Sequence, residues 1–180
     1  MKDSTFLNPL EAIASAHVHE GMHVADFGAG SGFFTRAAAR DVGESGEVWA
    51  VDSNRELLPR IKTLANAEGL QNVEVINGDV GKEGGSNLPD NAFDLVIATN
   101  ILFIIENKDA CIAEMKRILK KGGRVLAIDW TDSWGGLGPH KDHVITEDPA
   151  RELFEKNGFV VGDTIPAGTY HWGFIARKKS

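Results

Sequence analysis

Cysteine occurs once in the 180 residues, as Cys111, which excludes an internal disulfide and a cysteine-rich metal site. That scarcity fits a reducing compartment. No apolar run approaches the ~20 residues of a membrane span; the longest, from Leu95 to Ile105, is broken by Thr99 and Asn100. The opening Met1-Lys2-Asp3-Ser4-Thr5 has no apolar leader stretch, so a cytoplasmic protein with no membrane partner is expected. Basic side chains are outnumbered: 19 Lys and Arg stand against 26 Asp and Glu, a formal charge of −7. Nucleic acid recruits proteins through clustered Lys and Arg that release counterions, and the only basic cluster is the terminal Arg177-Lys178-Lys179. A nucleic-acid partner is therefore not expected. Internal repeats and low-complexity tracts are also missing, and the length suits one domain over residues 1–180, as a monomer or homodimer.

What is present is alternation. Short apolar runs at His23–Phe27, Glu47–Asp52, Val73–Asn77, Phe93–Ala98 and Gly123–Asp129 read as buried parallel strands. Between them Leu57, Leu58, Ile61, Leu64 and Ala65 recur on one helical face, as do Ile112, Met115, Ile118 and Leu119. This is the pattern of a doubly wound α/β sheet with helices on both faces. Asn54 is a candidate cap ahead of Pro59, and Gly69 and Gly122 stand where helix C-terminal caps belong. Cys111 falls on the apolar side of its helix and reads as core. After Asp129 comes a stretch rich in Gly, Trp and His, then a helix over 149–157. Strands at 159–165 and 170–177 follow, and the short Pro166-Ala167-Gly168 connection permits only an antiparallel hairpin.

The most informative segment is Val24-Ala25-Asp26-Phe27-Gly28-Ala29-Gly30-Ser31-Gly32-Phe33, a strand entering a glycine turn and then a helix that opens near Ser31 or Gly32. Glycines let backbone approach a ligand closely, and the helix start offers free N–H groups and a positive dipole end to an anion. A dinucleotide site would need glycine at the third place of G-x-G-x-x-G, which Phe33 occupies. The spacing here is G-x-G-x-G.

That motif, preceded by Asp26, resembles the first motif of the class I S-adenosylmethionine-dependent methyltransferases, and the resemblance extends in order from about Gly21 to Arg177. It implies that Asp26, Phe27, Gly28, Ala29, Gly30 and Gly32 surround S-adenosylmethionine, the anion being its amino-acid carboxylate. Asp52, ending the second strand, is placed to accept both ribose hydroxyls. Its neighbour Ser53 stands where many members have a larger apolar residue against adenine, with Val80 and Leu102 as substitutes. Gly78-Asp79-Val80 resembles the adenine site, and Asn100-Ile101 the segment facing the methionyl amino group. The resemblance also implies a seven-stranded Rossmann-like sheet in the order 3-2-1-4-5-7-6 with strand 7 antiparallel, and S-adenosylhomocysteine as product.

A sulfonium is already a good methyl donor, so alignment of donor and acceptor carries most of the work expected of such a protein. No nucleophile signature such as G-x-S-x-G is visible. A hydroxyl or ammonium acceptor would need a base near the carboxyl ends of the strands; Asp129, His140 and His143 are the candidates, His because its charge changes near neutral pH. His140-x-x-His143 lacks a third ligand at recognisable spacing, and no metal is assigned. Trp130, Trp134, Tyr170, His171 and Trp172 form an aromatic set readable either as core or as an acceptor pocket. Phe6, Leu7 and Asn8, within an N-terminal segment over 1–20, read either as a flap or as the entry to a helix packed on the sheet. The leading expectation is methyl transfer to a small-molecule acceptor; the alternatives are a protein or RNA acceptor, a nicotinamide-dependent reductase, or a catalytically silent cofactor-binding protein.

Overall fold

The structure, a computed structural model, describes residues 6–179; the opening Met1–Thr5 lies outside them. The chain runs α1 (Pro9–Ser15), β1 (His23–Phe27), α2 (Phe33–Val42), β2 (Glu47–Asp52), α3 (Leu57–Ala67), β3 (Val73–Asn77), β4 (Phe93–Thr99), α4 (Lys108–Ile118), β5 (Leu119–Trp130), α5 (Glu147–Lys156), β6 (Phe159–Thr164) and β7 (His171–Lys178). The strands form one sheet in the order β3-β2-β1-β4-β5-β7-β6. The first five strands are parallel, while β7 runs antiparallel to both β5 and β6. This is the order and orientation that the resemblance implied.

Strand residues alternate between faces, and each face has its own core. Val24, Val48, Leu95, Ile97, Leu126 and Ile128 pack under α1, α2 and α3. Ala25, Phe27, Val96, Ala98, Val125 and Ala127 pack under α4 and α5 together with Cys111, Phe154 and Phe174. Full burial of one such Leu or Phe is worth ~1.5–3 kcal/mol, so the sheet is held from both sides. Burial also pushes the Cys111 thiol up to about 12, keeping it un-ionised.

Local signals set the helix ends. Asn8 accepts the Leu10 N–H at 3.0 Å with Pro9 at the first position of α1, and Asn107 accepts the Ala110 N–H at 3.0 Å to start α4. The Asn54 side chain takes the Glu56 N–H (3.0 Å) just ahead of α3. Gly69 (φ +78°) ends that helix, with Leu70 N–H bonded to the Ala65 carbonyl, the pattern of a left-handed cap.

Gly122 corrects the sequence expectation. It is not a helix cap, because α4 ends at Ile118 and the chain passes directly into an extended Leu119. Its φ of +73° serves an irregularity in β5, where the pairing with β4 jumps from Phe93↔Leu119 to Leu95↔Arg124. A left-handed glycine serves a bulge as readily as a cap. β5 starts earlier than expected because the bulge joins two pieces into one strand, and it runs one residue further because Trp130 pairs with His171 of β7.

Candidate functional site

The loop from β1 to α2 lies at the carboxyl edge of the sheet. Gly28 and Ala29 donate their N–H groups to the Val51 carbonyl at 2.8 and 3.1 Å, which clips the loop to the end of β2. Gly28, Gly30 and Gly32 all have positive φ, at +69°, +53° and +72°, a region that other residues enter only with strain. Space enforces two of these choices as well: a Cβ on Gly28 would lie 2.4 Å from Ile101 Cδ1, and one on Gly32 would lie 2.9 Å from Ile61 Cγ2. Gly30 has no such neighbour, and its outer side is open.

Asp26 is buried and accepts the Thr35 hydroxyl at 2.6 Å and the Thr35 amide. Thr35 is the third residue of α2, whose cap, Gly32, has no side chain to offer. The carboxyl thus satisfies one of the otherwise unpaired donors of the first helical turn. Burial raises it to about 6 against those two hydrogen bonds. Phe33 points outward, 63% exposed, beneath the Arg36 guanidinium, so it does not fill the close helix–strand contact that a third glycine would make.

Asp52 joins these parts. Its Oδ2 accepts the Gly30 N–H and its Oδ1 the Asn54 N–H, both at 2.9 Å. One lone pair on each oxygen remains available. Its backbone carbonyl accepts the Gly78 N–H (3.1 Å) and the Asn77 side chain (2.9 Å), so β1, β2 and β3 end in one bonded unit. Ser53 is exposed and shares the Asn77 side chain through its carbonyl. Gly78 is obligatory, since a Cβ would lie 2.7 Å from the Gly85 carbonyl oxygen. Asp79 accepts the Gly81 N–H (3.1 Å) and pairs with Lys82 (2.7 Å); the lysine and the amide hold its carboxyl below the usual carboxylate range. Val80 is buried with Leu102.

Glu114 of α4 anchors this loop from beneath. Fully buried, it accepts the N–H groups of Gly84 (2.6 Å) and Ser86 (3.1 Å), the Ser86 hydroxyl, and the Arg117 guanidinium. Those partners hold it down to about 2, overriding the cost of burial.

The end of β4 completes the rim. Thr99 Oγ1 and Asn100 Oδ1 are both buried without a hydrogen-bond partner, a rare state for a polar atom unless a ligand supplies the partner. Asn100 is also left-handed, at φ +53°. Ile101 packs against Gly28, and beside it Asp129 accepts the N–H groups of Leu102 (2.9 Å), Phe103 (3.4 Å) and Trp130 (2.8 Å). Burial raises Asp129 to about 6 against these donors.

Thus Asp26, Gly28, Gly30, Gly32, Asp52, Gly78, Asn100 and Ile101 are brought together. His140 and His143 are not: they sit on an exposed loop with ring centroids 6.1 Å apart. His140 Nδ1 lies 3.3 Å from Asp142, and His143 lines a groove of about 550 Å³ with Phe103, Ile104 and Thr146. The aromatic set divides. Trp172 is core, stacked on Phe174 and donating to the Ile145 carbonyl at 2.8 Å. Trp130, Trp134, Tyr170 and His171 lie together at the rim, and Phe6 joins them against Tyr170. His171, one of the aromatic set, has both ring nitrogens buried and unpartnered; the sequence leaves it open between core and pocket and assigns Thr99 no role, because the register that brings both to the rim is not legible there.

The sequence matches the family described as "Methyltransferase domain" over residues 18–162. It is 35% identical over 125 residues to a ubiquinone/menaquinone biosynthesis C-methyltransferase UbiE of Burkholderia cenocepacia, covering 69% of this chain and 50% of that protein. A UbiE of Cupriavidus metallidurans is likewise 35% identical over 127 residues, with the same coverage. The chain thus spans about half the length of these relatives. Among solved structures, an S-adenosylmethionine-dependent methyltransferase from Aquifex aeolicus superposes with a TM-score of 0.86 at 29% identity, covering 96% of this chain and 90% of that one. A putative type 11 methyltransferase from Sulfolobus solfataricus gives 0.77 at 26% identity, covering 97% and 94%.

Proposed function

Since the chain belongs to the class I S-adenosylmethionine-dependent methyltransferases, we propose that it holds its cofactor on the β1–α2 loop and methylates a small-molecule acceptor at the β4–β5 rim. The observation that carries this reading is Asp52, tied to Gly30 N–H with one lone pair on each oxygen unused. When bound, S-adenosylmethionine supplies a methyl group already activated on a sulfonium.

The chain's own residues do the placing. Asp52 takes the two ribose hydroxyls, and the first-turn amides of α2 take the carboxylate. Asn100 Oδ1 and Thr99 Oγ1, unpartnered at the end of β4, take the amino group. Val80 flanks the adenine, whose amine reaches Asp79 by loosening its exposed, solvent-screened pair with Lys82. Asp26 keeps the helix start in place. Asp129 holds the loop after β4 through the Leu102 and Phe103 amides; of the three candidate bases, His143 is the one that faces a groove. The acidic surface and the relatives' names, which speak of quinone biosynthesis, support a small molecule over a macromolecule. The outward Phe33 speaks against a dinucleotide.

Thermal unfolding with S-adenosylhomocysteine tests this. At ~100 times its dissociation constant the ligand stabilises by about 2.7 kcal/mol, and each kcal/mol is worth roughly 2–4 °C at this length. The expected rise is roughly 5–11 °C, and Asp52→Ala should remove most of the ligand-induced part whatever its own melting point. A wild type that responds to a nicotinamide dinucleotide and not to S-adenosylhomocysteine would overturn the reading.

A further inference from the structure

Because β7 runs against β5, it begins at the rim where the parallel strands finish. Its first residue, His171, therefore pairs with Trp130, the last residue of β5, and the two rings pack with centroids 4.3 Å apart. Thr99 pairs with Ile128, two residues before Trp130, so Thr99, Trp130 and His171 share one face of the sheet.

Both imidazole nitrogens of His171 are closed to water, and neither has a hydrogen-bond partner. Folding gains nothing from that arrangement, since a buried polar group without a partner costs stability and an aromatic hydrocarbon of the same shape would not. Burial alone pushes the imidazole down to about 4, leaving it neutral at physiological pH. It then has one N–H to donate and one lone pair to accept with, and no charge with which to hold an ion. The adjoining surface is made of rings. Phe6 packs on Tyr170 (5.4 Å) and the Trp134 edge meets Tyr170 at 5.1 Å, yet Phe6 and Trp134 are 63% and 42% exposed. The Phe6–Leu7 backbone crosses against Gly168, where a Cβ would lie 2.9 Å from the Phe6 carbonyl carbon, so the N-terminal segment is strapped across the start of β7.

We propose that His171 is the residue that binds the methyl acceptor, taking a hydrogen bond from a hydroxyl on an uncharged, apolar molecule lodged between Trp130 and the Phe6, Tyr170 and Trp134 rings. The acceptor reaches the nitrogens by displacing the exposed rings of the strap. This rests on the methyltransferase reading, but assigns the recognition of the acceptor to a strand residue on the far side of the rim from the glycine loop.

Two probes that share one ring system test it: 2-naphthol, which donates a hydrogen bond, and its methyl ether 2-methoxynaphthalene, which cannot, the phenylalanine variant controlling for the added methyl. Their affinities are measured by calorimetry on the full chain saturated with S-adenosylhomocysteine, in wild type, His171→Phe and His171→Gln. The wild type should prefer 2-naphthol by at least about tenfold, since a buried acceptor left unmatched by the ether is penalised. His171→Phe should bind both alike and His171→Gln should restore most of the preference. His171→Phe should also unfold at an equal or higher temperature with its cofactor response intact. A wild type that binds the two probes alike or binds neither, a phenylalanine variant that keeps the preference, or one that melts clearly earlier would overturn the assignment. Absence of any S-adenosylhomocysteine response in the wild type would instead strike the cofactor reading beneath it.

Discussion

Replacing Gly28 by alanine measures how tightly the cofactor loop is built against β4. Two costs can be read from the structure. Alanine at φ +69° pays for a left-handed backbone, roughly 1–2 kcal/mol. Its methyl would stand 2.4 Å from Ile101 Cδ1, an overpacking of the kind that costs roughly 1–3 kcal/mol. Gly28→Ala alone should therefore lose roughly 2–5 kcal/mol. Ile101→Val alone deletes the clashing Cδ1 and should lose about 0.5–1.5 kcal/mol. In the double variant the nearest atom is Cγ1 at 3.1 Å, so most of the steric part disappears and the left-handed part remains. The two changes should thus couple favourably by roughly 1–2 kcal/mol. Urea unfolding of the four proteins reads this directly, provided the slope with denaturant is common to all. Additivity within about 0.5 kcal/mol would refute the claim that Ile101 is what forbids a side chain at position 28.

Glu114→Ala should lose roughly 1–3 kcal/mol, because it removes the acceptor shared by the buried Ser86 amide and hydroxyl and the Gly84 amide, while Arg117 keeps Asp90 and the Leu88 carbonyl. A loss under about 1 kcal/mol in thermal or chemical unfolding would show that the Gly84–Ser86 turn does not depend on it. Asp26 gives a pH signature. Its carboxyl titrates at about 6 in the fold against 3.8 as a free side chain, so the native state holds the proton more tightly and stability falls as pH rises from about 4 to about 6. Two units correspond to about 3 kcal/mol. Asp129 contributes in the same window, so Asp26→Asn should flatten that part of the stability profile by about half; an unchanged slope between pH 4 and 6 would contradict the assigned burial cost.

The doubly wound α/β class was legible from alternation and the closing antiparallel hairpin from the short connection before β7, whereas the strand order came only with the family resemblance. The place of Asp52 at the end of β2 was legible as well, since a carboxylate closing a short apolar run can be located by counting. What stayed hidden depends on register and on bonding within the fold. Gly122 carries a left-handed signal that caps and bulges share, and only the pairing of Phe93 and Leu95 with β5 tells them apart. Asp129 looks in sequence like a free carboxylate at a strand end, yet three amides occupy it. Trp172 and His171 are adjacent in sequence and alternate in face, so one joins the core beneath α4 and α5 while the other turns to the rim. Separating neighbours of that kind requires knowing which residue opposes Trp130.

The reversed last strand divides the labour along the polypeptide. On the proposed reading, the residues assigned to the nucleoside come from the first hundred or so positions, whereas the rings opposite come from the closing third and the few residues ahead of α1. If that assignment holds, substitutions in the tail should retune what is methylated and leave the response to S-adenosylhomocysteine in place.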